Sequence, residues 1–279
     1  APVTTVEITA PPTTVTTPAT SAAAAAAVET APATTVSPTT TTTPPSTAPT
    51  LPEVPDLPTD LTRPVRIVVA GDSTASALGG GMQVWAAYHP DVAQVEVRWA
   101  PGCGMLRRGF APAGVIEPNC SNMHAALAAD LLSIQPDVVV VMVTVGDVYE
   151  RIFDEAVGPI GPDDPRFEAE LRAGYEDELA ELQAAGVGHV AWMIAPPPEV
   201  YWQGDMARMI EPPRFRVLRR VIEEFAAAHP DIVRVVDLTA WPAAMEHGAR
   251  PDGLHFSFEV AAALSETYVG PIVVSVALS

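Results

Sequence analysis

The sequence predicts an α/β fold: a parallel five-stranded sheet between two helix layers, a three-layer α/β/α domain carried behind a disordered N-terminal stalk. Three observations predict it. From residue 63 onward, short β-branched runs alternate strictly with helical segments, the pattern of a parallel sheet covered on both faces. One run, DVVVVMVT (137–144), is almost continuously apolar, as a strand buried on both faces is. Ahead of residue 63 the composition changes: the first 50 residues hold two charged residues, Glu7 and Glu29, and no glycine.

The elements follow in chain order. Residues 1–62 are rich in Thr, Pro, Ala and Val, and runs such as TTTTTPP (39–45) and AAAAAAV (22–28) have no period that buries a face. They read as an extended, solvated linker, with a composition that also suits O-glycosylated stalks. Residues 63–279 read as one domain, ample for a single core. RIVVA (66–70) is a buried strand, and 75–89 a helix. VEVRW (95–99) alternates as a second strand, followed by a loop with Gly102, Gly104 and Gly109 and a helix over 121–133. The strand 137–144 precedes a charged amphipathic helix over 166–185 that stops near Gly186. HVAWMIA (189–195) is the fourth strand, stopped by Pro196, Pro197 and Pro198. A helix over 212–228 opens on Pro212 and Pro213, which suit a first turn. IVRVVDL (232–238) is the fifth strand, and a last helix begins after Ser257. His-Pro-Asp recurs after two helices, at His89 and His229, and reads as shared helix-stop chemistry.

Charge and composition narrow the function. The net charge is −19, and all 15 basic residues are Arg. Such a chain repels phosphate backbones, so nucleic acid is not an expected partner. No uninterrupted apolar run reaches the roughly 18–20 residues of a membrane span, and the start, APVTTVEI, does not read as a signal peptide. A soluble extracellular segment fits the Thr/Pro stalk. Cys103 and Cys120 have no zinc spacing and no paired His, so no metal is expected. They are either two buried thiols or, the preferred reading, a disulfide worth on the order of 3 kcal/mol in an oxidising compartment. The first strand leads into GDSTAS and not into a glycine fingerprint, so no dinucleotide, and no other cofactor, is expected.

In parallel α/β sheets ligands sit beyond the carboxyl ends of the strands. There VVAGDSTASAL (68–78) places Ser73 at the turn into a helix. Serine is a common helix cap, but a helix N-terminus also favours an oxyanion beside it. A nucleophilic serine needs a base. RPDGLHFS (250–257) places His255 in the last loop on the same side, with Asp252 three residues earlier to fix the imidazole tautomer. Ser257 suits the cap of the last helix, with Glu259 in its first turn.

Together, Gly71-Asp72-Ser73 after the first strand and Asp252-x-x-His255 before the last helix resemble the SGNH (GDSL-type) hydrolase family, over about residues 63–279. The resemblance implies a flavodoxin-like sheet, Ser73 as nucleophile, His255 as general base and acid, and Asp252 as its orienting partner. It implies an oxyanion hole from Ser73, a glycine of the second loop and the third block. Spacing from Trp99 favours Gly104, with Gly102 the alternative. The third block departs from the family's G-x-N-D. Thr144-Val145-Gly146-Asp147 puts Gly146 where the Asn donor belongs, a loss worth roughly 3–4 kcal/mol in the transition state. Asp147 reads as structural.

That variant block, the Gly-Cys-Gly loop and the stalk resemble the extracellular SGNH domains joined to membrane-bound O-acyltransferases. The implied activity is O-acetylation of a surface glycan by a monomeric domain, with an acyl donor, a carbohydrate acceptor and an upstream membrane domain as partners. A carbohydrate or lipid esterase differs only in letting water resolve the acyl-enzyme. A non-catalytic glycan-binding module is the reading from another class, motivated by the missing Asn and opposed by the intact Ser, Asp and His. Tyr201, Trp202 and Trp241 suit sugar stacking or packing. Arg107 and Arg108 would meet an anionic glycan or solvent. His124 falls on a helix with no assigned role.

Overall fold

The computed structural model describes residues 53–112, 120–199, 207 and 209–279. Tyr201, Trp202 and the stalk up to residue 52 lie outside the described residues.

The sheet has five parallel strands, β1 (Val65–Gly71), β2 (Ala93–Trp99), β3 (Val138–Met142), β4 (Val190–Ile194) and β5 (Val233–Asp237), in the order β2-β1-β3-β4-β5. This is the flavodoxin-like order, whose switch point lies between β1 and β3. Alternation along the strands makes two cores. Val68, Ala70, Val139, Val141, Val190 and Trp192 face one layer, and Ile67, Val69, Val138, Val140, Ala191 and Met193 face the other.

The first layer holds α2 (Cys120–Ile134), α3 (Pro165–Ala184) and α4 (Pro212–Ala228). On α3 the buried residues Phe167, Leu171, Tyr175, Leu179 and Leu182 recur at helical spacing, and Glu178 falls within the same stripe. The second layer holds α1 (Ser73–Tyr88), α5 (Phe258–Leu264) and α6 (Gly270–Ala277). A π-turn over Ser265–Val269 joins α5 to α6, just ahead of Pro271, which lacks an N–H for the regular ladder.

The continuous segment Phe258–Ala277 is long and apolar enough to cross a membrane, against the sequence expectation. Its Ala261, Leu264, Tyr268, Val269 and Val273 are instead buried in the second core. The polar residues Ser265, Glu266 and Thr267 interrupt the apolar run, which is why the run did not stand out in the sequence.

The predicted helix stops are alike in detail. His89 and His229 close their helices with nearly the same backbone angles (φ −124°, ψ 54° and 51°), and each ring pairs with a carboxylate, Glu266 or Glu176. Structure also begins ahead of Arg63. Val54, Leu57 and Leu61 pack against the second core, and Arg63 forks onto Asp137 at 2.6 and 2.7 Å. An antiparallel pair, Arg151–Ile152 with Pro159–Ile160, was not anticipated.

Candidate active site

Strand β1 ends in a turn only glycine can make. Gly71 has φ +148°, and a Cβ there would sit 1.8 Å from the Met142 carbonyl oxygen of β3. Helix α1 then starts, and its cap is Asp72, not Ser73. Asp72 Oδ1 accepts from the Thr74 N–H at 2.9 Å and from its hydroxyl at 2.6 Å. Its Oδ2 accepts from the Thr144 N–H (2.7 Å), the Thr144 hydroxyl (2.9 Å) and the Gly146 N–H (3.3 Å). One buried carboxylate thus caps α1 and binds the end of β1 to the end of β3.

With capping done by Asp72, the Ser73 hydroxyl is free for other work. It lies 2.7 Å from His255 Nε2. On the far side of the ring, His255 Nδ1 lies 2.5 Å from Asp252 Oδ2. Asp252 Oδ1 accepts from the N–H groups of Leu254 (3.0 Å) and His255 (2.8 Å). Partial burial opposes ionisation of Asp252, but the His255 ring and these two N–H groups outweigh it and hold its pKa below the ordinary carboxylate value. The Ser257 hydroxyl caps α5, accepting from the Val260 N–H at 3.3 Å, which fixes the exit of this loop.

The second loop is held from several sides. Cys103 and Cys120 form a disulfide, pinning the loop to the start of α2. Asp147 Oδ1 accepts from the Leu106 N–H at 2.9 Å, and its Oδ2 from the Met105 N–H at 3.2 Å and the Tyr175 hydroxyl at 2.9 Å. Burial raises the Asp147 pKa against these donors. Gly104 and Gly146 press backbone to backbone. A Cβ on Gly104 would lie 1.7 Å from Asp147 Oδ1, and one on Gly146 would lie 2.3 Å from the Gly104 nitrogen. Gly146 therefore brings no side-chain donor to this corner, and its N–H goes to Asp72. Ser73 N–H is among the first N–H groups of α1, which have no partner within the helix.

The structure places several residues whose readings the sequence left open. Arg107 and Arg108 face neither glycan nor open solvent alone. Arg107 pairs with Glu178 (2.8 Å) and Glu181 on α3, and Arg108 with Glu170 (2.9 Å) and Asp177 (3.4 Å). Burial raises Glu178 to about 7 against the pull of Arg107. Trp241 is partly buried against the second core. His124 is buried. Burial first, then Arg107 and Arg151, lower its pKa to about 4.

Two buried arginines were not singled out from the sequence. Arg151 donates to the carbonyls of Arg108 (3.1 Å) and Gly146 (3.3 Å), tying the second loop to the third block. Arg250 donates to the carbonyls of Pro197 (2.6 Å) and Gly253 (3.4 Å). The only sequence signal for Arg250 is its place two residues before Asp252.

Among the described residues no group of three or more His, Cys, Asp or Glu is placed to hold a metal ion. The arrangement can transfer a proton from Ser73 to His255 and stabilise the resulting imidazolium through Asp252, as acyl transfer through a serine requires.

Comparison with known proteins agrees with this architecture. No curated protein matches the chain. Among solved structures it is similar to Est24, a carbohydrate acetylesterase from Sinorhizobium meliloti, at 13% identity and a TM-score of 0.50, covering 75% of this chain and 98% of that one. It is also similar to a lipase/acylhydrolase from Enterococcus faecalis (20% identity, 77% and 95% covered, TM-score 0.48). A third is the periplasmic domain of a lipopolysaccharide acetyltransferase from Salmonella ser. Paratyphi A (11% identity, 75% and 84% covered, TM-score 0.46). A family model, "SGNH domain (fused to AT3 domains)", matches residues 48–246, well over half of the chain, and ends before Asp252 and His255. The chain belongs to this family of SGNH domains fused to AT3 domains.

Proposed function

We propose that this chain is a serine-dependent acyltransferase that places an acyl group, most simply acetyl, on a hydroxyl of a glycan outside the cytoplasm. The observation that carries the reading is the continuous relay Ser73 Oγ–His255–Asp252, with contacts of 2.7 and 2.5 Å. Ser73 Oγ attacks the acyl carbonyl while its proton passes to His255 Nε2. The N–H groups of Ser73 and Gly104 hold the oxyanion. Collapse expels the donor's leaving group, which takes the proton from His255. A sugar hydroxyl then attacks the acyl-enzyme as its proton passes to His255, and on collapse His255 returns that proton to Ser73 Oγ, giving the product ester and the free serine.

Fusion to AT3 domains, the recurring context of this family, supports a membrane acyltransferase domain as partner and donor. The Thr/Pro-rich residues ahead of about residue 48 would then tether the SGNH domain to it. The site lacks the Asn donor of the third block. A two-donor hole suits an acyl donor that is already activated.

The test is partition of one activated donor, p-nitrophenyl acetate, with and without glycan acceptors. Acetylated glycan formed at the expense of free acetate, and lost in Ser73→Ala, supports transfer. Turnover to acetate alone, with no acceptor effect, makes the chain an esterase.

A further inference from the structure

The Asp252–His255 turn is held from outside by a buried arginine. Arg250 has about 3% of its surface exposed. Its Nη1 donates to the carbonyls of Pro197 (2.6 Å), Pro196 (3.4 Å) and Gly253 (3.4 Å), and its Nη2 to Glu199 Oε1 (3.3 Å). The Gly253 carbonyl also accepts from the Glu199 N–H at 2.8 Å. Thus the loop after β4 and the catalytic turn share one buried guanidinium.

The consequence runs through a single peptide plane. Gly253 C=O and Leu254 N–H belong to the same rigid amide. Donors from Arg250 and Glu199 fix its carbonyl end, so its N–H end is fixed too. That N–H donates to Asp252 Oδ1 at 3.0 Å, and the next N–H, of His255, donates to the same oxygen at 2.8 Å. The other oxygen, Oδ2, meets His255 Nδ1. Gly253 has φ +83°, a region where the turn needs outside support to keep one geometry. We infer that Arg250 is a positioning residue for catalysis, which sets the Asp252 carboxylate against His255 through the Gly253–Leu254 peptide and couples the loop after β4 to the general base.

The inference rests on the reading of Ser73, Asp252 and His255 as the catalytic set, so its test includes a readout that needs no turnover. The His255 Nδ1 proton, held in a short bond to Asp252, gives a far-downfield proton resonance that can be followed by NMR on the whole chain. Arg250→Met removes every donor and keeps an apolar stem. Arg250→Lys keeps a cation but not the planar fork that reaches several carbonyls. In Arg250→Met the resonance should broaden or move upfield. The kcat on p-nitrophenyl acetate should fall about ten- to a hundredfold, the scale of a small misplacement of a catalytic group, with KM nearly constant. Arg250→Lys should recover part of both effects.

A folded Arg250→Met protein with the resonance in place and kcat within about twofold of the parent overturns the inference. If Arg250→Met does not fold, Arg250→Lys decides by the same two readouts: unchanged resonance and kcat overturn it, and partial loss of both supports it. If Ser73 proves inert in the parent protein, the proposed function falls. The resonance still decides whether Arg250 sets the Asp252–His255 geometry.

Discussion

Restoring the family's asparagine should damage this site. Gly146→Asn looks like a repair of the oxyanion hole, but the backbone leaves no room for it. The Cβ alone would lie 2.3 Å from the Gly104 nitrogen and 2.8 Å from both the Cys103 carbonyl carbon and Gly104 Cα. Those are main-chain atoms of a loop pinned by the disulfide and by Asp147, so no flexible side chain can yield. Relief requires the loop to move by about an ångström, an overpacking cost of roughly 1–3 kcal/mol. Strained or lost bonds from Met105 and Leu106 to the Asp147 carboxylate add roughly 1–3 kcal/mol. For a domain of this size each kcal/mol lowers Tm by about 2–4 °C, so a drop of roughly 4–24 °C is expected. Turnover of p-nitrophenyl acetate should fall as well, because Gly104 N–H moves off the oxyanion. Gly80→Ala is the control. Gly80 lies inside α1 with nothing within 4 Å of an added Cβ, so alanine should stabilise by up to about 1 kcal/mol. Gly146→Asn with an unchanged Tm and faster turnover would refute the reasoning and show that the site simply lacks a donor.

Other perturbations have equally definite outcomes. Asp252→Asn keeps an oxygen for the Leu254 and His255 N–H groups but presents an amide to His255 Nδ1, forcing the wrong tautomer; kcat on an activated ester should fall by about 10³–10⁴ with KM little changed. Glu178, raised to about 7 from 4.5, binds more protons in the folded state than in the unfolded one between those pH values, so its contribution makes stability fall as pH rises from about 4.5 to 7. Guanidinium unfolding across that window should show the fall, of at most about 3 kcal/mol, and Glu178→Gln should flatten it. Replacing Cys103 and Cys120 by serine should cost about 3 kcal/mol in stability, read from chemical denaturation, and should slow acylation of Ser73 by loosening the Gly104 loop.

Much of this fold is legible because its strands are buried on both faces. A β-branched run such as 137–144 has few other folds open to it, and α4 starts and stops where Pro212, Pro213 and His229 say it must. That Ser73 and His255 lie at the same side of the sheet was legible from their places relative to strand ends. What escaped depends on long-range contact. Asp72 and Ser73 are adjacent and both cap helices well. The choice of Asp72 follows from its second oxygen reaching Thr144, just past the end of β3. Arg107 and Arg108 read as free cations because their partners on α3 lie about seventy residues away in the chain. Gly146 reads as a deletion of function, whereas its backbone contact with Gly104 appears only once the two loops are stacked. The pair Arg151–Ile152 and Pro159–Ile160 is too short to leave an alternating pattern.

The central claim is that Ser73 is an activated nucleophile and not a helix cap. It is tested most directly by fluorophosphonate labelling of the folded, disulfide-bonded chain, with intact mass and peptide mapping and Ser73→Ala as control. The account predicts one adduct, on Ser73, absent from Ser73→Ala and strongly slowed in Asp252→Asn. A folded protein that takes no label at Ser73 would contradict it, and the 2.7 Å contact between Ser73 and His255 would then be structural only.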